Sequence, residues 1–450
     1  MFTSQPHSSR GARRRTALGL LAALALSAGA TTIGRATGPV PPRASAVELA
    51  DEDEVGTSGT DERVPNSHRP AVPASFQRES YRPGAVARLA LFAAAGGLSI
   101  QVFHTGTEST RIRAYDEMRG TAVTKPRWIG AVSSGRVIRV PVGNWPGGLY
   151  YARLTAAHGR IGYAPFVLRP SRLGQHRVAV VLPTFTWQAY NFSDDDGDGV
   201  PNTWYASRSV KSVKLFRPFE NRGVPPHYKY YDQPFLCWLI ANGWKVDYLA
   251  DSDLDAAGSG KGLARNYNLL VFSGHHEYVT TREFRTVRAF RDHGGNLMFL
   301  SANNFFWRVD RRGDRIFRIR KFRELGMPEA SVIGVQYIAN DDGSHRGPWI
   351  VRNTKAAPWV FDGTGVGPGS HLSSAGIEID KTAATSPRGL HVLAEIPNLL
   401  GRGLTGQMTY YETKSGAKVF AAGAFSLAGS VRQPVVSRMM KNLFDRLSQA

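Results

Sequence analysis

Hydrophobic and polar positions divide the chain into stretches of different period. Residues 177–183 form a nearly unbroken apolar run, the pattern of a strand buried on both faces. Residues 233–242 have helical spacing and are closed by Gly243, and 245–249 read as a further strand. Residues 269–273 make another buried strand, 281–293 an amphipathic helix ended by Gly294-Gly295, and 296–301 a strand again. Strand and helix alternate, which predicts an α/β domain with a mostly parallel sheet of the flavodoxin or glutamine-amidotransferase kind, covered on both faces. Ligands bind beyond the carboxyl ends of such strands, so the residues after Ser273 and Ser301 stand where a site is expected. Later strands at 332–337, 391–395, 408–412 and 419–422, with a helix at 435–447, are expected to extend the same domain.

Upstream the period is two. Runs at 87–92, 98–104, 110–115, 136–140, 149–154 and 161–168 are bounded by Gly and Pro with no helical stretch between them. Six close-set strands predict an all-β, immunoglobulin-like sandwich over residues 77–172, with the α/β domain occupying 173–450. Residues 31–76 are rich in Pro, Ser, Thr and acidic side chains and read as a disordered linker. Before them, Arg13-Arg14-Arg15-Thr16 leads into an apolar run at 17–28 and an Ala28-Gly29-Ala30 triplet, which predicts a signal peptide over residues 1–30. The arginine pair fits twin-arginine export as well as the Sec route, so the expected location is secreted or cell envelope. No other segment has the length of a membrane span, and none is expected in the mature chain.

Composition changes this picture in two places. The formal charge is +20, and removing residues 1–50, with six arginines and one glutamate, leaves 50 basic against 35 acidic side chains, or +15. That excess is spread along the chain except for a dense run at 308–323, and no helix-turn-helix, zinc-finger or RRM pattern accompanies it. A basic surface suited to an anionic envelope is therefore expected, not a nucleic-acid partner. The single cysteine, Cys237, excludes an internal disulfide and a cysteine-based metal site; it sits in an apolar helical stretch and reads as a core thiol.

Candidate chemistry clusters after the strand ending at Ser273. Ser273-Gly274-His275-His276-Glu277-Tyr278 brings two imidazoles, a carboxylate and a phenol within four positions at a strand end, a supply of acid/base groups or metal ligands. The alternative is that the histidines bond to backbone and Glu277 caps the following helix. Thr186-Trp187-Gln188-Ala189-Tyr190-Asn191 follows the first buried strand, so Tyr190 either faces the same site or packs. In the run 194–202, Asp194, Asp196 and Asp198 fall at positions 1, 3 and 5, with Gly199 at 6 and Asn202 at 9. This spacing resembles the calcium loops of thrombospondin type-3 repeats and dockerins and predicts Ca²⁺, although position 12 is Tyr205 and not a carboxylate. Ser301 ends a strand, but the G-x-S-x-G pattern of a serine hydrolase is missing.

Taken together, Thr186 to Asn191, Leu215-Phe216-Arg217-Pro218-Phe219, Ser273 to Tyr278, Gly294-Gly295-Asn296-Leu297, Ala302-Asn303 with Trp307-Arg308, Ile333-Gly334-Val335-Gln336 and Gly376-Ile377-Glu378-Ile379-Asp380 resemble the C-terminal domain of the N,N-dimethylformamidase large (beta) subunit family. The resemblance implies a mononuclear Fe³⁺ held by two tyrosines and a glutamate. It places the glutamate at Glu277 and the first phenolate at Tyr190; the second is Tyr205, with Tyr230 and Tyr231 as rivals. His275 would move a proton, Glu378 would be a second carboxylate for that task, and Asn303 would hydrogen-bond the developing oxyanion. The expectation is an exported iron-dependent amidohydrolase whose partner is a small amide, with self-association and a small subunit left open. The rival expectation is a non-catalytic envelope protein that binds carbohydrate or peptide.

Overall fold

The computed structural model describes residues 67–108 and 112–449. The expected signal peptide and residues 31–66 of the expected linker lie outside them, as do residues 110 and 111 of one expected strand. Within the remainder of that linker stretch, Ala74–Phe76 is a strand paired antiparallel with Val86–Leu91. Residues 112–115 of the expected 110–115 strand are irregular.

Two sheets, of three and six strands, occupy residues 74–168 and close over one core. The alternation makes this possible: in Val86–Leu91, residues Ala87, Leu89 and Leu91 face inward, and Ile100, Val102, Tyr150 and Ala152 meet them from the other sheet. A strand at Arg127–Val132, absent from the expected set, pairs with Ala95–His104 and is mostly exposed or half-buried; its apolar residues are consecutive and do not alternate with polar ones, so no period of two marks it.

The larger sheet has eleven strands and corrects the expected fold class. Its first five, in spatial order Asp247–Ala250, Val178–Leu182, Leu269–Phe272, Asn296–Phe299 and Lys418–Ala421, run parallel. The next ones, Gly406–Glu412, His391–Ile396, Arg346–Val351, His371–Lys381 and Gln336–Asn340, pair antiparallel. With 33% strand against 19% helix and several separate sheets, the molecule is not a flavodoxin-like parallel α/β fold. The cause is connection length. Parallel neighbours need a crossover of a dozen residues or more, whereas Gly406–Glu412 and Lys418–Ala421 are joined by a short turn that permits only a hairpin.

Helices cover the parallel part on both faces. Val180, Leu182, Val271 and Met298 share a core with Phe235, Leu239, Met440 and Leu443 of helices Gln233–Ala241 and Pro434–Leu447. Ala179, Val181, Leu270 and Phe299 point the other way, onto Phe284, Val287 and Phe290 of helix Thr281–Asp292. Burying each of those large side chains stabilises the fold by roughly 1.5–3 kcal/mol before entropy is counted. Helix Thr281–Asp292 begins where Thr280 Oγ1 accepts from the Glu283 N–H at 3.0 Å, and it stops at Gly294 with φ +92°.

The basic run at 308–323 is largely a hairpin, Trp307–Arg312 and Arg315–Lys321, within a separate four-stranded sheet with Val213–Lys214 and Tyr278–Thr280. Its inner face, with Val309 and Ile316, packs on Phe185, Tyr190, Trp204, Tyr205 and Tyr278. This sheet thus forms one wall of the region beyond the strand Leu269–Phe272. No described helix is long and apolar enough to cross a membrane.

Candidate functional site

The site grows from three strand ends. After Val178–Leu182 the chain enters the short helix Thr184–Ala189, and Tyr190 is the residue that closes it. The fully buried Arg217 anchors the chain on either side of Tyr190: its guanidinium donates to the carbonyls of Ser193 at 2.6 Å, Gln188 at 2.9 Å and Asn191 at 2.9 Å. Burial pushes this group down to about 10, and the neighbouring Asp195 carboxylate opposes that, so it stays charged at neutral pH. On the returning limb, Thr203 Oγ1 donates to Ala189 O at 2.5 Å, which brings the Tyr205 ring to 4.5 Å from the Tyr190 ring.

The second strand end delivers His275, Glu277 and Tyr278. Glu277 Oε2 accepts from Tyr190 Oη at 2.6 Å and from Tyr205 Oη at 3.0 Å, and Tyr205 Oη lies 2.6 Å from Tyr278 Oη. His275 Nε2 stands 3.0 Å from Tyr190 Oη and 3.2 Å from Glu277 Oε2, while its Nδ1 faces Ala302 O at 3.3 Å. Glu277 is only 2% exposed. A carboxylate so deep in protein is costly unless donors surround it, and the phenols supply them.

From the third strand end and the antiparallel half come Asn303 and Glu378. Asn303 has φ +51°, a left-handed conformation that asparagine tolerates better than most residues. Its backbone N–H donates to Asp380 Oδ1 at 2.8 Å, and its Nδ2 donates to Glu378 Oε1 at 3.3 Å. Glu378 Oε2 in turn is 3.7 Å from His275 Nε2. Burial pushes the Asp380 carboxyl up to about 7. The result is a continuous buried set of three phenols, three carboxyl groups, an imidazole and an amide.

Thus the structure brings together Tyr190, Tyr205, His275, Glu277, Asn303 and Glu378. Tyr230 is 43% exposed, and its hydroxyl donates to Tyr115 at 3.1 Å, away from the cluster. Tyr231 stacks on Phe425 and His227 and lines an adjoining cavity. His276 turns into the core against Phe272, where burial pushes its imidazole down to about 3, so it is neutral and outside the cluster. Cys237 is half-buried in the helix beside Gln233, and burial pushes its thiol up to about 12, as expected for an unreactive side chain.

The acidic loop lies apart from these groups. Asp194, Asp196 and Asp198 are exposed and offer oxygens within 4.8 Å of one another. Asp194 accepts from Gly197 N at 2.7 Å and Gly199 N at 2.9 Å, and Asn202 Nδ2 donates to Asp196 at 3.0 Å. Tyr205, the twelfth position, turns away from the loop into the buried cluster.

Several site residues carry little signal in the sequence. Tyr278 is visible there only as the end of its motif, and Arg217 and Asp380 only as members of theirs. Phe425 packs its ring 4.7 Å from His275, edge to face, and no local pattern near position 425 signals this.

Comparison with known proteins comes from sequence. The family model for "N,N-dimethylformamidase beta subunit-like, C-terminal" matches residues 101–437. The N,N-dimethylformamidase beta subunits of Paracoccus aminophilus and of an Alcaligenes species are each 22% identical to this chain, over 314 and 318 residues. The matched part is 56% of this chain and spans 40% of each relative's length. A superoxide reductase (neelaredoxin) from Ignicoccus hospitalis matches 27% of this chain and 98% of its own at 11% identity, with a TM-score of 0.14, too low to bear on the fold. Since the family match covers three quarters of the sequence and runs through every member of the Tyr190–Glu277–Glu378 cluster, the chain belongs to the N,N-dimethylformamidase beta subunit-like, C-terminal family.

Proposed function

We propose that this protein is an exported, iron-dependent hydrolase of small amides, with Tyr190, Tyr205 and Glu277 as the iron ligands. The observation that carries the reading is the meeting of two phenol oxygens on one carboxylate oxygen, at 2.6 and 3.0 Å, in a buried place. Hydroxyl and carboxylate oxygens so arranged become, on loss of the phenol protons, a hard anionic donor set of the type that suits a trivalent ion. Bound there, ferric iron would supply Lewis acidity, polarising an amide carbonyl and acidifying water.

The remaining chemistry belongs to side chains. The Nδ1 of His275 faces a carbonyl oxygen, which favours a proton on that nitrogen and leaves Nε2, on the side of Tyr190 and Glu277, free to accept one. In the proposed reaction Nε2 takes a proton from the attacking water and returns it to the departing nitrogen, and Glu378 stabilises the imidazolium formed between. Asn303 Nδ2 is the donor for the carbonyl oxygen as it gains charge. Phe425, against the imidazole face, limits competing water.

The relatives' name supports a small amide as the substrate class, and their description as beta subunits supports a partner chain or self-association. Export rests on the sequence of residues 1–30. Calcium in the acidic loop is a separate expectation on which no step depends. The test is hydrolysis of formamide, acetamide and N,N-dimethylformamide by protein produced with iron, with released amine or ammonia quantified. Absence of turnover on all three by iron-loaded protein rejects the reading.

A further inference from the structure

Beside the Tyr190–His275 pair lies a small cavity walled by Pro183, Trp187, Tyr190, Tyr231 and His275, with one carboxyl group, Asp232, in its lining. Its volume is about 20 Å³, room for one water-sized group. Asp232 is 2% exposed, and its Oδ1 has no hydrogen-bond partner in the protein. The Trp187 indole, in the same lining, is the one side chain whose polar group eases that burial. Asp232 stands at the start of helix Gln233–Ala241 but does not cap it, so helix formation does not account for a carboxyl at this position.

A second feature keeps this oxygen open. A Cβ on Gly274, the residue before His275, would stand 2.9 Å from Asp232 Oδ1 and 2.9 Å from the Pro183 ring. Glycine at 274 therefore leaves the space around the carboxyl that any other residue would fill. A buried, half-satisfied polar group is costly to the fold, and such groups persist where a ligand completes them.

We propose that Asp232 is a substrate-binding residue, whose free oxygen holds the polar end of a small amide in this cavity while the scissile bond lies toward Tyr190 and His275. This rests on the amide-hydrolase reading and specifies how the substrate is selected. Burial pushes the Asp232 carboxyl up to about 8, so at neutral pH it is mainly an acid, and its unpartnered oxygen can carry the proton. The cavity then presents an O–H donor and calls for a hydrogen-bond acceptor other than the scissile carbonyl, such as a hydroxyl or second carbonyl oxygen borne by the acyl group, on a group no larger than one or two heavy atoms. Bulky or purely apolar ends are excluded.

The variants separate donor from shape. Asp232→Asn keeps a donor at this position through its amide N–H; Asp232→Leu removes it at similar size. Binding of glycolamide (2-hydroxyacetamide), whose hydroxyl is a second acceptor, to the full chain, followed by saturation-transfer NMR, is expected to change by less than about threefold in Asp232→Asn and to weaken by about tenfold or more in Asp232→Leu. Gly274→Ala, which crowds the same oxygen, is expected to weaken it too, and it serves if Asp232→Leu does not fold. Unchanged glycolamide binding in Asp232→Leu or, should that variant not fold, in Gly274→Ala overturns the proposal, as does absence of binding to the wild-type chain. Turnover is measured separately: wild-type protein that binds glycolamide through Asp232 yet hydrolyses no amide rejects the hydrolase reading alone, and turnover of glycolamide with an unaltered KM in Asp232→Leu rejects the Asp232 inference alone.

Discussion

Tyr190 Oη donates to Glu277 Oε2 at 2.6 Å across a separation of 87 residues. Both lie beyond the carboxyl ends of neighbouring parallel strands, Tyr190 at the close of helix Thr184–Ala189 and Glu277 in the segment after Phe272. Replacing the carboxylate by an amide keeps the shape and removes the charge. Glu277→Gln is therefore expected to lose iron affinity by about a hundredfold or more, with amide turnover falling in parallel. Metal analysis of protein with wild-type circular dichroism checks this.

His275 touches the same oxygens but is assigned a proton and not the ion. His275→Ala is expected to keep its iron while kcat falls by about 10²–10⁴. Iron content and kcat measured on one preparation distinguish it from Glu277→Gln.

The buried strands at 177–183, 269–273 and 296–301 are legible in the sequence because both faces are covered, and they place His275, Glu277 and Asn303. In the antiparallel half the strands at 391–395 and 408–412 are legible too, whereas Arg346–Val351 is not, because it alternates weakly and a bulge shifts its register. Periodicity reports burial, and it does not report the direction of pairing. Tyr205 is reached through family resemblance, since its local sequence is an acidic loop. Asp232 carries no signal at all: one aspartate before a helix reads as a cap, and only the cavity shows otherwise.

Arg217 makes a separate prediction about the scaffold. Its planar guanidinium reaches three carbonyls at once, a geometry a lysine ammonium does not reproduce. Arg217→Lys is expected to destabilise the fold by about 2–4 kcal/mol in urea denaturation and to lower iron content, because the segment carrying Tyr190 loses its anchor.

Asp380 predicts a pH dependence. Burial pushes its carboxyl up to about 7 in the folded state, from 3.8. Between those values the folded chain binds more protons than the unfolded one, so this group's stabilising contribution is complete below pH 3.8 and is lost as pH rises towards 7. Asp380→Asn lacks that loss. The stability of the variant minus that of the wild type should rise in the variant's favour from about pH 4 to about pH 7 and level off above. A difference that is flat across this range contradicts the assignment.

The most direct measurement of the central claim is the iron content and visible absorption spectrum of the wild-type chain produced with iron, beside Tyr190→Phe and Tyr205→Phe. The account predicts close to one ferric ion per chain and a visible tyrosinate-to-iron band that weakens in each single variant and disappears in the double. Colourless protein without iron, or a band untouched by both substitutions, would contradict it.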